Sequence, residues 1–321
     1  MPETTILTHA DPDGICAGAI ALSRFPGSAV FFTRPTSFYP DLLHTESPRI
    51  AITDIALPKR DAPRIVRLLR ERKQAGIEVL YFDHHIIPPT ISKAPLNSSL
   101  TTYVHSRRAS ASELVYRHYM REIPKERVWL ALYGAIGDYA DNTPFAIERI
   151  RNWDRRALFF EVSTISLGIK NDEFADYDAK RRIVRTLARG GNPSDVPGLV
   201  KSAKRAVNRE FDLYELVRGK AQSFGKVAYV KDVPTFGFRG PSALFAATVR
   251  NARIGICAHT RERYVDITMR TRDYSLKLNV LADRAAEAVG GSGGGHAAAA
   301  GAKIPKGTFR RFLDELNRGV K

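Results

Sequence analysis

The stretch Tyr81-Phe82-Asp83-His84-His85 decides how this chain is read, because an apolar run ends there in an acid and two histidines. Three other fragments share the pattern. His9-Ala10-Asp11-Pro12-Asp13-Gly14 follows Thr5-Ile6-Leu7-Thr8, Asp54 follows Ile50-Ala51-Ile52-Thr53, and Asp138 follows Ala135-Ile136-Gly137. A short apolar run reads as a buried strand, and in open α/β sheets the carboxyl ends of such strands converge on one crevice. The sequence therefore aims histidines and carboxylates at a single point. Carboxylates with imidazole suit manganese better than a thiolate set would. Two such ions a few ångström apart can activate a water and clamp the attacking and leaving oxygens of a phosphodiester.

Around these fragments, strands and helices alternate. Thr5 to Thr8, Val30 to Thr33, Ile50 to Ile55 and Val79 to Phe82 read as strands. Ile15 to Arg24 and Asp61 to Ala75 read as helices, the second with Ile65, Leu68 and Leu69 at helical spacing; the Pro-rich segment up to Pro48 reads as a loop. This βαβ rhythm implies a mostly parallel sheet. Helices dominate from Ser110 to Asp178, including Ser112 to Met120 and Val128 to Ile136. Gly190-Gly191-Asn192-Pro193 is the best break, and beyond it Leu199, Ala203, Ala206, Tyr214 and Val217 share one face of a long helix. The expected architecture is α/β: a parallel-sheet domain over 1–190, a helical connector over 191–224, and a smaller α/β domain over 225–321.

Composition bounds the function. Of 321 residues, 44 % are hydrophobic and 26 % charged, a globular balance. No apolar run reaches the roughly 18 residues of a membrane span, and the N-terminus lacks the pattern of a secretory signal, so the expectation is a cytoplasmic protein. Two distant cysteines, Cys16 and Cys257, exclude a disulfide framework and a zinc finger. A net charge of +16 favours polyanions, above all nucleic acid, as partners. An anionic membrane is disfavoured, since no basic amphipathic helix with exposed bulky apolar residues is evident.

The C-terminal part carries Gly290-Gly291-Ser292-Gly293-Gly294-Gly295-His296, between a helix-like Asn279 to Val289 and an alanine-rich, helix-compatible run. Glycines so placed would let backbone amides crowd a phosphate at a helix N-terminus. Arg239, Arg250, Arg253, Arg261, Arg263, Arg270 and Arg272 meet only Glu262 and Asp266 over the same stretch, a candidate nucleic-acid track. Phe236 and Phe238 are candidates to stack bases, although core packing is their expected fate.

Taken in order, the acidic fragments resemble the motifs of the DHH phosphoesterase superfamily: His9, Asp11, Asp13 and Gly14, then Asp54, then Asp83-His84-His85, then Asp138. The resemblance implies two manganese or magnesium ions bridged by Asp54. One would be held by His9, Asp13 and Asp54, the other by Asp54, His84, Asp138 and Asp11. Asp83 and His85 would support them, with His85 on a phosphate oxygen or steering the nucleophilic water. Asp141 competes with Asp138 for the fourth position. Some small-molecule members carry a further Asp where this chain has Ile15, so the pattern is nearer the RecJ-like variant. The glycine-rich element resembles the GGGH motif of DHHA1 domains, and Thr268-Met269-Arg270-Thr271 resembles their Ser/Lys-x-Arg-Ser stretch, with Thr271 departing from Ser. This implies that Arg270, Gly294, Gly295 and His296 grip the phosphate or sugar of the substrate.

The function expected from both lines is a manganese-dependent exonuclease that shortens single-stranded DNA or RNA to nucleoside monophosphates, with a replication or repair protein as a further partner. The alternatives are a nanoRNase, pAp phosphatase or cyclic-dinucleotide phosphodiesterase, and a non-catalytic replication or repair scaffold. Retention of His9, Asp13, Asp54, His84 and Asp138 weighs against the scaffold.

Overall fold

In the first eighty residues each apolar run is separated from the next by a crossover-length segment, which favours parallel strands over hairpins. The computed structural model describes residues 2–235, 237–273 and 275–320. One unit runs to Arg205 and a second begins at Ala206. The first opens with β1 (Thr4–Thr8), α1 (Pro12–Arg24), β2 (Ala29–Phe32), α2 (Phe38–Leu43), β3 (Arg49–Thr53) and α3 (Ala62–Gln74). β4 (Glu78–Asp83), α4 (Lys93–Ser98) and β5 (Thr102–His105) follow. Five helices come next: α5 (Ala111–Tyr119), α6 (Val128–Gly137), α7 (Pro144–Arg151), α8 (Arg155–Gly168) and α9 (Tyr177–Ala188).

The sheet is parallel throughout, in the order β2-β1-β3-β4-β5. Thr8 pairs with Thr53, Thr53 with Phe82 and Asp83 with His105, so the strands end nearly level. The chain order reverses between β1 and β3, the point at which open α/β sheets generally form a crevice at the carboxyl edge. Alternate side chains go to opposite faces. Ile6, Ala51, Leu80 and Phe82 pack with α1, α5, α6, α8 and α9, whereas Leu7, Ile50, Ile52, Val79 and Tyr81 pack with α2 and α3.

α1 is buried from Asp13 to Ala21, and small residues let its neighbours close in. A Cβ on Gly14 would lie 2.4 Å from the His9 carbonyl oxygen. One on Gly134 of α6 would lie 2.1 Å from Ser112 Oγ and 2.5 Å from Asp13 Oδ1. Two departures from the sequence reading occur in this unit. The segment expected to be loop up to Pro48 contains α2, whose Pro40 sits in the first turn, where its missing N–H costs nothing, and whose Phe38 and Leu42 are fully buried. β5 is not among the expected strands; its Thr102-Tyr103-Val104 is short and only half-buried, and it joins the sheet through β4.

The long helix read from Leu199 onward is present as α10 (Leu199–Lys220), which carries the chain past the division. The second unit continues with β6 (Gln222–Phe224), β7 (Val227–Lys231), α11 (Arg239–Val249), β8 (Ile254–Thr260) and β9 (Tyr264–Arg270). It closes with α12 (Leu278–Glu287), β10 (Ser292–Gly295), β11 (Ala299–Pro305) and α13 (Phe309–Gly319). The sheet is mixed, in the order β10-β11-β9-β8-β7-β6. Ile254, Ile256, Ile267 and Ile304 pack with α12 and α13, while α11 lies over Gly255, where a Cβ would meet the Ala243 carbonyl.

The alanine-rich run does not start a helix; it is β11. Its backbone pairs with β9 and β10, and Ala300, Ala302 and Ile304 alternate inward. Tertiary pairing overrides alanine's helix propensity. No helix therefore begins at the alanine-rich run; the helix start nearest the glycine-rich turn in the chain's bonding is that of α12, whose Leu278 amide donates to the Ala297 carbonyl at 3.0 Å. Phe238 is 2 % exposed and belongs to the interior; Phe236 lies outside the described residues. Both cysteines are unpaired and buried. Among the described residues no helix is long and apolar enough to cross a membrane.

Gly134→Ala should destabilise the fold by about 1–3 kcal/mol, because the added methyl meets Ser112 and Asp13 in a packed contact. Urea unfolding measures the loss, and Ala135→Gly in the same helix serves as the propensity control.

Candidate metal centre

The three central strands deliver the acidic and imidazole groups. After β1 the chain turns through His9 and Asp11, and Asp11 caps α1 by accepting from the Gly14 amide at 2.9 Å. Asp13, in the first turn of α1, is 1 % exposed. Its Oδ2 accepts from the Ala111 amide at 2.7 Å and its Oδ1 from the Ser112 amide at 3.0 Å. These amides are orphan donors at the start of α5, so the helix N-terminus holds this carboxylate in place. The Thr53 hydroxyl donates to Thr8 Oγ1 at 2.8 Å, and Thr8 donates to the Gly14 carbonyl at 2.5 Å, which ties β3, β1 and α1 together beneath the site.

Asp54 follows β3 in a left-handed conformation, φ 59°, a conformation Asp tolerates better than most residues. Its amide donates to the Phe82 carbonyl at 2.9 Å. Its carboxylate is the hub: His84 Nε2 lies 3.2 Å from Oδ1, His85 Nδ1 4.0 Å from Oδ1, and His9 Nδ1 3.8 Å from Oδ2. His9 Nδ1 is also 2.7 Å from Asp11 Oδ2. His84 Nε2 is 3.9 Å from Asp13 Oδ2, and its Nδ1 is 3.6 Å from Asp138 Oδ2 at the end of α6. His85 Nδ1 bonds Asp83 Oδ1 at 2.8 Å, and the His85 carbonyl meets His105 Nε2 at 2.7 Å.

Three groups of side chains could each hold a metal ion: His9 with Asp11 and Asp54, Asp54 with His84 and His85, and Asp13 with His84 and Asp138. These groups bring together seven of the residues singled out, Asp83 joins them through His85, and Asp11 rather than Asp13 groups with His9. The electrostatics fit a cation. Asp54 is 2 % exposed and its Oδ2 has no hydrogen-bond partner. Burial, then the charges of Asp11, Asp13 and Asp83, push its carboxyl well above the usual range. Burial and the charges of Asp13 and Asp11 raise Asp138 to about 7. Burial opposes the charge on Asp11, but the adjacent His9 outweighs it and holds the carboxyl low. Burial lowers His84, keeping a neutral ring suited to ligation. For His85, burial is outweighed by the bond and charge of Asp83, and the ring is raised. An anionic donor set with an orphaned buried oxygen suits a hard divalent ion.

Sequence reading missed Arg34, Lys180 and His105. Arg34 follows β2 at the same carboxyl edge, so the strand-end rule could have found it. It donates to Tyr177 Oη at 3.1 Å, and its charge reaches His9. Lys180, on α9, is lowered by burial and then by Arg34, while Asp11 acts on it in the opposite sense; nothing in its local sequence marks it.

In the second unit, the four residues expected to grip substrate share one corner of the sheet. Arg270 pairs with Ala299 and Gly295 with Ala300. The His296 amide donates to the Ala299 carbonyl at 2.8 Å, which closes the turn. Gly295 is required there: its φ is 129° and a Cβ would lie 2.6 Å from the Ala299 oxygen. Several arginines of the expected track have protein partners, Arg253 with Asp273 at 2.6 Å, and Arg239 and Arg261 with Asp266 at 3.8 and 3.5 Å.

Residues 3–136 match the DHH family N-terminal domain and residues 245–321 the DHHA1 domain. No curated protein sequence matches. Among solved structures, the chain is similar to the DHH domain of a member of a ribosomal protein family (15 % identity, TM-score 0.70, 99 % of this chain and 86 % of that one). It is also similar to the RecJ of Thermus thermophilus in complex with Mn2+ (18 %, 0.67, 98 % and 51 %). The pGpG-specific phosphodiesterase PggH of Vibrio cholerae is matched over nearly its whole length (15 %, 0.61, 98 % and 99 %).

Asp54→Asn, which keeps the left-handed backbone and removes the charge, should raise the melting temperature of the metal-free protein. At a hundredfold excess over its Kd, manganese should stabilise the wild type by about 2.7 kcal/mol and the variant by less than half of that. Thermal melts with manganese and with chelator read both effects.

Proposed function

From the premise that this chain belongs to the DHH/DHHA1 phosphoesterase superfamily, and so is an enzyme of phosphodiester hydrolysis, we propose that it shortens single-stranded DNA or RNA from an end, releasing nucleoside monophosphates. The observation that carries the reading is Asp54, a buried carboxylate shared by two candidate ligand groups and left with an orphaned oxygen. Asp54 would stand between two divalent ions, with His9 and Asp11 on one side and His84 and Asp138 on the other, and with Asp13 beside His84. Bound there, the ions would supply positive charge against the phosphate and an acidified water.

The remaining work falls to the chain. Asp83 orients His85 through Nδ1, so Nε2 is the ring atom that would meet a phosphate oxygen or carry a proton to the leaving oxygen. Amides at the start of α5 hold Asp13 still, so the site is organised before substrate arrives. Arg270 and the Gly294–His296 turn grip a backbone phosphate or sugar, with Arg270 as a forked donor. The charge of +16 supports a polymer over a small nucleotide. A second reading, a phosphodiesterase for dinucleotides, is favoured by the full-length match to PggH, whereas the chain spans only 51 % of the RecJ matched.

Manganese assays on DNA and RNA single strands of graded length, labelled at either end, test the reading. Asp54→Asn should lower kcat by at least about a thousandfold, and a variant turning over near the wild-type rate would overturn it. Arg270→Ala should raise KM by about 10-fold or more with a smaller change in kcat.

Turnover of long strands below saturation should fall steeply between low and physiological salt, while that of a dinucleotide should hardly change. Parallel salt curves would favour the dinucleotide reading.

A further inference from the structure

Tyr139 is held in a conformation that its own side chain opposes. Its φ is 56°, and the other non-glycine residues at positive φ among those described, Asp54, Asp232 and Asn251, are of the two types that tolerate it. The cause is the ending of α6. The Tyr139 amide donates to the Ile136 carbonyl at 3.2 Å and the Ala140 amide to the Ala135 carbonyl at 2.8 Å. These two bonds form the helix stop whose left-handed residue is ordinarily glycine. The chain places a tyrosine at that position, directly after Asp138, whose carboxylate lies 3.6 Å from His84. Packing does not compensate, because Tyr139 is 92 % exposed. A strained backbone with an unpacked aromatic ring beside a catalytic cluster points to a contact made with something other than the protein.

We propose that Tyr139 is a stacking platform for a nucleobase, which seats the terminal nucleotide while its phosphodiester lies at the acidic cluster. The inference rests on the phosphodiesterase reading above and adds the element that distinguishes a nucleotide from any other phosphodiester. Every base has a flat π-face, so a single exposed ring gives grip without sequence preference. The helix stop fixes the backbone from which the ring projects, one residue after Asp138, since amides on both sides of the left-handed residue are bonded. The hydroxyl has no part in this, and the ring alone should suffice.

The test compares wild type, Tyr139→Gly and Tyr139→Phe. Each is titrated by fluorescence anisotropy, with calcium in place of manganese to avoid turnover. The ligands are a labelled hexanucleotide and two partners carrying an abasic residue at the 5′ or the 3′ terminus. Wild type and Tyr139→Phe should prefer the intact strand over one abasic partner by about 5- to 100-fold. Tyr139→Gly should lose that preference, yet melt roughly 2–4 °C higher in the metal-free state as the backbone strain is relieved. With manganese, KM should rise and kcat should stay nearly constant. A Tyr139→Gly protein that keeps the preference, or a wild type with none, overturns the proposal. Strand binding with a base preference but no turnover in manganese would instead sink the hydrolytic reading while leaving the stacking contact standing.

Discussion

The negative charge collected around Asp54 is the constraint to which the rest of the first unit answers. A buried carboxylate with an oxygen that bonds nothing is costly, and here three more acids stand close enough to push its proton affinity up. A fold built for stability alone would not gather them. The level strand ends, the hydroxyl chain from Thr53 through Thr8 to Gly14, and the amides holding Asp13 all oppose the mutual repulsion. Apolar layers on both faces of the sheet supply the stability that makes this tolerable. The residual instability is what a divalent ion would relieve, so metal affinity and apo stability are two sides of one arrangement.

Close approach is the second requirement, and it is met by omission of side chains. Gly14 allows α1 to start against the His9 carbonyl, and Gly134 allows α6 to press Asp138 toward His84. The same device recurs in the second unit, where Gly293 and Gly295 let β10 run against α12 and close a tight turn beside Arg270. There the glycines serve a sheet corner. Charge is distributed with similar economy. Arg239, Arg253 and Arg261 are tied to Asp266 and Asp273, whereas Arg263 and Arg272 are exposed. Three arginines of the expected track therefore have structural partners within the second unit.

What the sequence determined by itself was the set of groups and the edge they occupy. Apolar runs ending in His9, Asp54 and Asp83 specify parallel strands whose carboxyl ends carry chemistry, because strand length, crossover spacing and the position of the first polar residue are all local properties. α10, the hub role of Asp54 and the association of Arg270 with the glycine-rich turn followed from the same local signals together with family resemblance. Other features depended on contacts distant in sequence. The alanine-rich run became β11 because β9 offered unpaired backbone, and α2 formed because Phe38 and Leu42 had a core to enter. Grouping Asp13 with His84 and not with His9 went with the amides of α5, almost a hundred residues away. Lys180 reached Asp11 only through the packing of α9, and the strain at Tyr139 arose from the way α6 ends. Periodicity records which face a residue takes, but only the folded chain decides which neighbours that face will meet, since those neighbours are supplied by remote segments.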